Sequence, residues 1–348
     1  MKYVDEFRDP HLARALLAQI AARSRQPVRF MEFCGGHTHA IFRHGLRQLL
    51  PPTVSLRSGP GCPVCVTSDA DIDRAIAMAQ VPGVTLVTFG DMLKVPGSAG
   101  SLESAKAEGA DVRVVYSALD GLQIAREHPD RTVVFLGIGF ETTAPTVAAA
   151  LLRAEAEGLD NFTVLALHKL TPPATRAILD AGEVRLAGII GPGHVTTIIG
   201  SAAWEFLPRD YGVPCAVAGF EPLDILRAVA DLVEMAEAGR PAVTNAYKRS
   251  TTAEGNRVAL GLMERVFEVG EADWRGLGRV PASGLALRPA YARFDAAQVV
   301  PVQPAPPRGH PGCRCGDVLR GALEPPECPL FGRACTPARP VGPCMVSA

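Results

Sequence analysis

The feature that most restricts this chain is a rhythm. Eight short apolar runs, at residues 28–33, 54–56, 84–89, 112–116, 132–136, 162–167, 184–190 and 213–218, alternate with longer stretches of helical spacing. Short Val-, Ile- and Phe-rich runs separated by helix-length segments predict parallel strands joined by crossover helices. Asp9 before Pro10, followed by Leu12, Leu16 and Ile20 on one face, predicts an N-terminal helix. In a second helix over 69–80, Ile72, Ile76 and Ala79 share a face, and Asp69, Asp71 and Asp73 lie early, where the dipole favours negative charge. Residues 38–50 read as one helix and 221–239 as a long helix closing a second module. At about 150 residues per domain the 348 residues suit two or three domains, and two compact sheets suit the length better than one. The expected division is an N-terminal helix at 1–27, α/β domains at 28–122 and 123–245, and a C-terminal domain at 246–348.

Beyond about residue 270 the texture changes to Gly, Pro and Arg with few periodic elements. Residues 300–311 hold Pro301, Pro304, Pro306, Pro307 and Pro311 and read as an extended linker. A cysteine-rich tail follows. Such a segment buries too little apolar surface to fold alone, so a metal is expected to supply what a core does not.

Composition excludes several classes of function. A formal net charge of -1 leaves no broad electrostatic footprint for nucleic acid. No apolar run approaches the roughly 18 residues of a membrane-spanning helix. Met1 to Glu6 carry no apolar leader core, so a cytoplasmic location is expected.

In such a compartment nine cysteines are not disulfide staples. Cys34, Cys62 and Cys65 come early, Cys215 stands alone in an apolar run, where it reads as core, and Cys313, Cys315, Cys328, Cys335 and Cys344 crowd the tail. Most expected strands run into polar loops, among them Cys34-Gly35-Gly36-His37, Gly137 to Thr142, His168-Lys169, Gly191 to His194 and Gly219-Phe220-Glu221. Ligand sites of open α/β sheets gather at such strand ends. Cys34 is expected at a helix N-terminus, where the dipole and free N–H groups favour a thiolate, with His37 and His39 beside it. The bland reading of Cys34 is a small buried hydrophobe. Its Gly-Gly-His-Thr-His flank favours a nucleophile or a ligand for a soft metal.

Cys62-Pro63-Val64-Cys65 has the C-x-x-C spacing of a redox dithiol or of half a zinc site. No second C-x-x-C exists in the chain, which ranks the dithiol first. From Cys315 the tail spacings are x12, x6 and x8, which suit either zinc or a [4Fe–4S] cluster. Weaker signals are Gly137-x-Gly139-x-x-Thr142, half of a dinucleotide fingerprint, and Glu141, Glu221, His168 and His194 as acid–base groups. Each of those four, taken alone, is more often a loop-ordering residue. No GxxxxGK[ST] loop is present.

Taken together, several strings are specific. Phe33-Cys34-Gly35-Gly36-His37-Thr38-His39, Gly59 to Thr67, Gly139 to Pro145, Gly191 to His194, Cys313 to Leu319, and Cys328 to Phe331 with Cys335-Thr336-Pro337 resemble the HypD family of iron–sulfur hydrogenase maturation factors. The resemblance implies α/β architecture with two Rossmann-like parallel-sheet domains and a small cysteine-rich domain holding a [4Fe–4S] cluster. It implies a scaffold on which the Fe(CN)2CO unit of [NiFe]-hydrogenases is assembled, with redox chemistry but not a conventional turnover enzyme. A HypC-like small chaperone would share the iron through its N-terminal cysteine, a HypE-like protein would donate cyanide, and the hydrogenase large-subunit precursor would be an indirect partner.

On this resemblance Cys34 ligates the iron, oriented by His37 and His39, and Cys62 and Cys65 supply electrons and further iron contacts. Glu141 and His194 would complete the reactive set. Tails of the family continue past Met-Val-Ser to a further cysteine, whereas this chain ends Met345-Val346-Ser347-Ala348. Cys344 or Cys313 is therefore expected to join Cys315, Cys328 and Cys335 as cluster ligands, four of the five at most. Two other readings stand beside this one: an iron–sulfur thiol–disulfide oxidoreductase and a zinc-stabilised binding module.

Overall fold

The computed structural model describes residues 5–98, 100–304 and 306–346. Residues 1–4, 99, 305 and 347–348, including part of the leader reading, one linker residue and the last two tail positions, lie outside the described residues. In chain order the strands are β1 (Val28–Glu32), β2 (Val54–Ser58), β3 (Val84–Thr88), β4 (Val112–Val114), β5 (Thr132–Gly137), β6 (Phe162–Ala166), β7 (Gly188–Pro192), β8 (Cys215–Ala218), β9 (Val243–Asn245), β10 (Phe267–Trp274) and β11 (Gly278–Leu287). All eight expected strands are present. They form two parallel sheets, giving two Rossmann-like α/β units.

The strands are not shared out in chain order. One sheet runs β2-β1-β7-β8-β9 and the other β4-β3-β5-β6. Accordingly, one compact unit comprises residues 1–62, 175–257 and 320–324, and the other 63–174, 258–319 and 325–348. The expected boundary between domains at 28–122 and 123–245 is corrected on this point. β1 pairs with β7, more than 150 residues later in sequence, in the register Met31↔Ile189. Periodicity marks a strand but says nothing about its neighbour. The cysteine-rich region of the tail is present, and most of it groups with the second unit.

The first unit's core is built from β1, the N-terminal helix Pro10–Arg23 and the helix Pro222–Ala238. Ile20, Phe30, Ile190, Leu226, Val229 and Leu232 are buried together there. Each such side chain contributes about 1.5–3 kcal/mol by leaving water. Asp9 caps the first helix, accepting from the N–H groups of His11 and Leu12, and Pro10 occupies its first position, as expected. The expected single helix over 38–50 is instead two, Gly35–Arg43 and Leu46–Leu49, broken where Gly45 turns with φ 60°.

In the second unit the antiparallel hairpin β10–β11 was missed, lying in the stretch read as poor in periodic elements. Gly270, Gly278, Gly284 and Pro281 interrupt its alternation. It hydrogen-bonds to the end of β6: the Leu285 N–H reaches His168 O at 3.2 Å and the Leu170 N–H reaches Ser283 O at 2.8 Å. Among the described residues no helix is long and apolar enough to cross a membrane.

Candidate functional site

In the first unit, β1 leads by its connection to β2 on one side, whereas β7 leads to β8 on the other. The β1/β7 junction is therefore the switch point at which an open parallel sheet leaves a crevice at its carboxyl end. Cys34 follows β1, His194 follows β7 and Phe220 follows β8, so three loops converge there.

Cys34 is the N-cap of helix Gly35–Arg43, as its spacing predicted. Gly61 makes the close approach possible: a Cβ at that position would fall on the backbone of Phe33 and Cys34. The Gly35 N–H donates to Gly61 O at 3.0 Å, which brings the loop carrying Cys62 against Cys34. Glu32, at the end of β1, is fully buried. Its carboxylate accepts the Cys34 N–H at 3.0 Å and the Thr38 hydroxyl. Burial raises this carboxyl to about 7, against the lowering effect of those hydrogen bonds.

The expected low thiol pKa is not what this arrangement yields. Burial pushes the Cys34 thiol up to about 11, and the Glu32 and Cys62 charges add to it. The N–H groups of Gly36 and His37 act in the lowering direction, but desolvation outweighs them.

His37 and His39 part company. His37 is buried, whereas His39 is exposed. His37 Nε2 lies 3.0 Å from Gly219 O and 3.2 Å from Ala218 O, so with two carbonyl acceptors that nitrogen carries the proton. Burial lowers its pKa to about 4, which keeps the ring neutral. His194 is exposed by comparison, and partial desolvation of its ring lowers its pKa too. Both imidazoles stack on Phe220, with centroids 4.8 Å and 3.9 Å away, and Tyr247 meets the same ring edge-on at 6.1 Å. The loop bearing Phe220 is held by Glu221, which pairs with Arg8, and by the Glu221 N–H donating to Asp224 at 3.2 Å. Buried Asp224 takes two hydrogen bonds from Arg249, whose guanidinium lies over Phe7 and Tyr247. Glu221 is thus a loop-ordering residue.

The second unit holds Cys65, Glu141, His168 and the five tail cysteines. Cys65 is buried and its thiol donates to Pro343 O at 3.5 Å. Cys313, Cys315, Cys328, Cys335 and Cys344 all line one cavity, with Val318, Leu330 and Phe331 among its apolar walls. Cys315 hydrogen-bonds both Cys313 and Cys344, which lowers the pKa of those two thiols and raises its own. Cys335 Sγ accepts the Val341 N–H at 3.2 Å. None of the nine cysteines is disulfide-bonded. Among the described residues no set of three or more His, Cys, Asp or Glu side chains is arranged to hold a single metal ion. Cys215 is fully buried within β8, and burial raises its pKa, in keeping with a core role.

Glu141 is fully buried after β5, where its Oε1 accepts the Thr171 N–H at 2.7 Å. His168 is buried with neither ring nitrogen hydrogen-bonded, and burial lowers its pKa to about 3. Neighbouring Lys169, only 2% exposed, donates to Asp273 O at 2.7 Å, lies 3.9 Å from the Asp71 carboxylate and sits over the Trp274 ring. Burial lowers its pKa, while Asp71 and Asp273 act to raise it. His168 and Lys169 lie against the hairpin strand β10. Sequence reasoning missed Glu32, Lys169 and Phe220. A charge inside an apolar run was the available signal for Glu32.

The HypD family model, described as the hydrogenase formation hypA family, matches residues 11–348. The chain belongs to the HypD family of hydrogenase maturation factors. It is 51% identical over 357 residues to the hydrogenase expression/formation protein HupD of Azotobacter chroococcum, covering 100% of this chain and 94% of that protein. It is 50% identical to the hydrogenase maturation factor HypD of Rhizobium leguminosarum, covering 100% of this chain and 93% of that protein. Against the HypD of Escherichia coli it is 44% identical, with 100% and 95% covered. Family membership therefore extends over the crevice motifs and the cysteine-rich tail alike.

Proposed function

We propose that this maturation factor is the scaffold on which the Fe(CN)2CO unit of [NiFe]-hydrogenases is assembled. Cys34 is the protein's ligand to the cargo iron, and a HypC-like chaperone shares that iron. A HypE-like partner delivers cyanide as a thiocyanate. Releasing it requires two electrons and one proton, giving a thiol and cyanide. Cys62 and Cys65, as a dithiol, supply two of each on forming a disulfide.

The observation that carries this reading is the switch-point crevice of the first unit, with its partly exposed Cys34 thiol. Cyanide and carbon monoxide leave iron low-spin and soft, which thiolate ligation suits. A thiol raised to about 11 keeps its proton until a cation displaces it, so ligation releases a proton and removes the desolvation penalty.

The tail's donor set suits a [4Fe–4S] cluster. Each iron of such a cluster takes its own thiolate, so the thiols ring a cavity and do not converge on one ion. Cys315, Cys328 and Cys335, with Cys344 or Cys313, would hold it, and it would supply single electrons. The zinc-module reading is weaker, because a structural zinc requires four ligands meeting at one point.

The test is infrared spectroscopy of the anaerobically purified complex with a HypC-like partner. Bound CN and CO bands are expected, and they should vanish in Cys34→Ala and in Cys62→Ala or Cys65→Ala. A wild-type complex without such bands shifts the reading to an iron–sulfur thiol–disulfide oxidoreductase. Full cyanide loading in the Cys62 or Cys65 variants removes the relay.

A further inference from the structure

Phe220 is partly exposed, yet it is held on several sides. The imidazoles of His37 and His194 stack on it at interplanar angles of 25° and 28°, and Tyr247 stands perpendicular at 87°. Its edge faces the first turn of the helix behind Cys34. A Cβ at Gly36 would lie 2.9 Å from Phe220 Cε1 and 3.6 Å from Cys34 Sγ. The absent side chain at Gly36 therefore lets the ring edge and the sulfur be neighbours. Swinging the ring away breaks both stacking contacts, so this is a fixed wall, not a mobile side chain. His37 in turn is held by two backbone carbonyls of the same β8 loop.

We propose that Phe220 is a specificity-determining residue, its clamped ring admitting compact groups to the Cys34 sulfur and turning away bulky ones such as glutathione. An iron carrying only diatomic ligands is compact, and an apolar wall offers no hydrogen bond that would compete for them. The role of Cys34 as iron ligand rests on the proposed function, but the steric gate can be read without any iron.

The experiment uses the full-length, reduced chain at one pH. Cys34 is labelled with iodoacetamide, a small reagent, and in parallel with fluorescein-5-maleimide, a bulky one. Rates come from mass spectrometry of the Cys34 peptide. Both reagents consume the thiolate, so a change in thiol pKa scales both rates and largely cancels in their ratio. Phe220→Ala is expected to raise the bulky-to-small ratio at Cys34 at least tenfold. Phe220→Tyr, which keeps the ring, should hold the wild-type ratio. Cys215, fully buried in β8, reports unfolding by becoming labelled. If that occurs in Phe220→Ala, the same ratio is read in Phe220→Leu, with a threefold rise expected. A ratio within twofold of wild type in the folded variant overturns the proposal, as does an equal rise for both reagents. Loss of iron in Cys34→Ala is a separate outcome, bearing on the ligand role alone.

Discussion

Glu141 links burial to pH in a way that can be measured. Its carboxyl is buried after β5 and accepts the Thr171 N–H at 2.7 Å and the Thr171 hydroxyl at 3.1 Å. Burial raises its pKa from 4.5 to about 7 and outweighs those hydrogen bonds. Between these two pH values the folded state holds a proton that the unfolded chain has released. Stability from this group is therefore fully present below about pH 4.5 and is lost as pH rises through 7. At 1.36 kcal/mol per pH decade the loss comes to about 3 kcal/mol. Glu141→Gln keeps the acceptor oxygen and cannot ionise. Urea unfolding followed by Trp274 emission in a Trp204→Phe background reports the second unit, because Trp274 stacks on Phe140 at 6.0 Å. With a urea slope of about 3 kcal/mol per molar, the wild-type midpoint should fall between pH 5 and pH 8 by about 1 M more than that of the variant. His168 works in the opposite direction. Its pKa is lowered to about 3, so its stabilisation is present above about 6.5 and lost on acidification, but it is common to both chains and cancels. Parallel pH profiles for wild type and Glu141→Gln would refute the reasoning.

Two further outcomes follow from the second unit. Lys169→Met removes the cation beside Asp71 and leaves the Asp273 carbonyl without its donor. A destabilisation of about 3 kcal/mol is expected, read as a lowered urea midpoint with a shift in Trp274 emission. In the tail, Ser in place of either Cys313 or Cys344 leaves four thiols around the cavity. Iron and acid-labile sulfide should stay near wild type in each single variant and fall by more than half in the double variant; an unchanged double variant would refute the ligand set.

Much of the fold could be read from local pattern. A strand of a parallel sheet is buried on both faces, so β3 and β5 appear as continuous apolar runs whoever their neighbours are. Caps such as Asp9 are equally local. The hairpin β10–β11 was hidden because its residues alternate irregularly around glycines and a register shift. The place of Cys34, as the N-cap between β1 and a helix, could be read because a strand followed by Gly-Gly is a local signal. Phe220 was not found, since a phenylalanine in a loop gains meaning only from the His37 and His194 rings on its two sides.

By itself the sequence determined eight of the eleven described strands, most of the helices and the family, because hydrophobic period, capping and residue chemistry act over a few positions. Only the tertiary structure decided that β1 lies beside β7, because strand pairing is a long-range choice among similar apolar surfaces. It also decided that His37 turns inward while His39 faces solvent, and that burial outweighs the helix N-terminus at Cys34. Desolvation depends on everything packed around a group, and no window of sequence contains that sum.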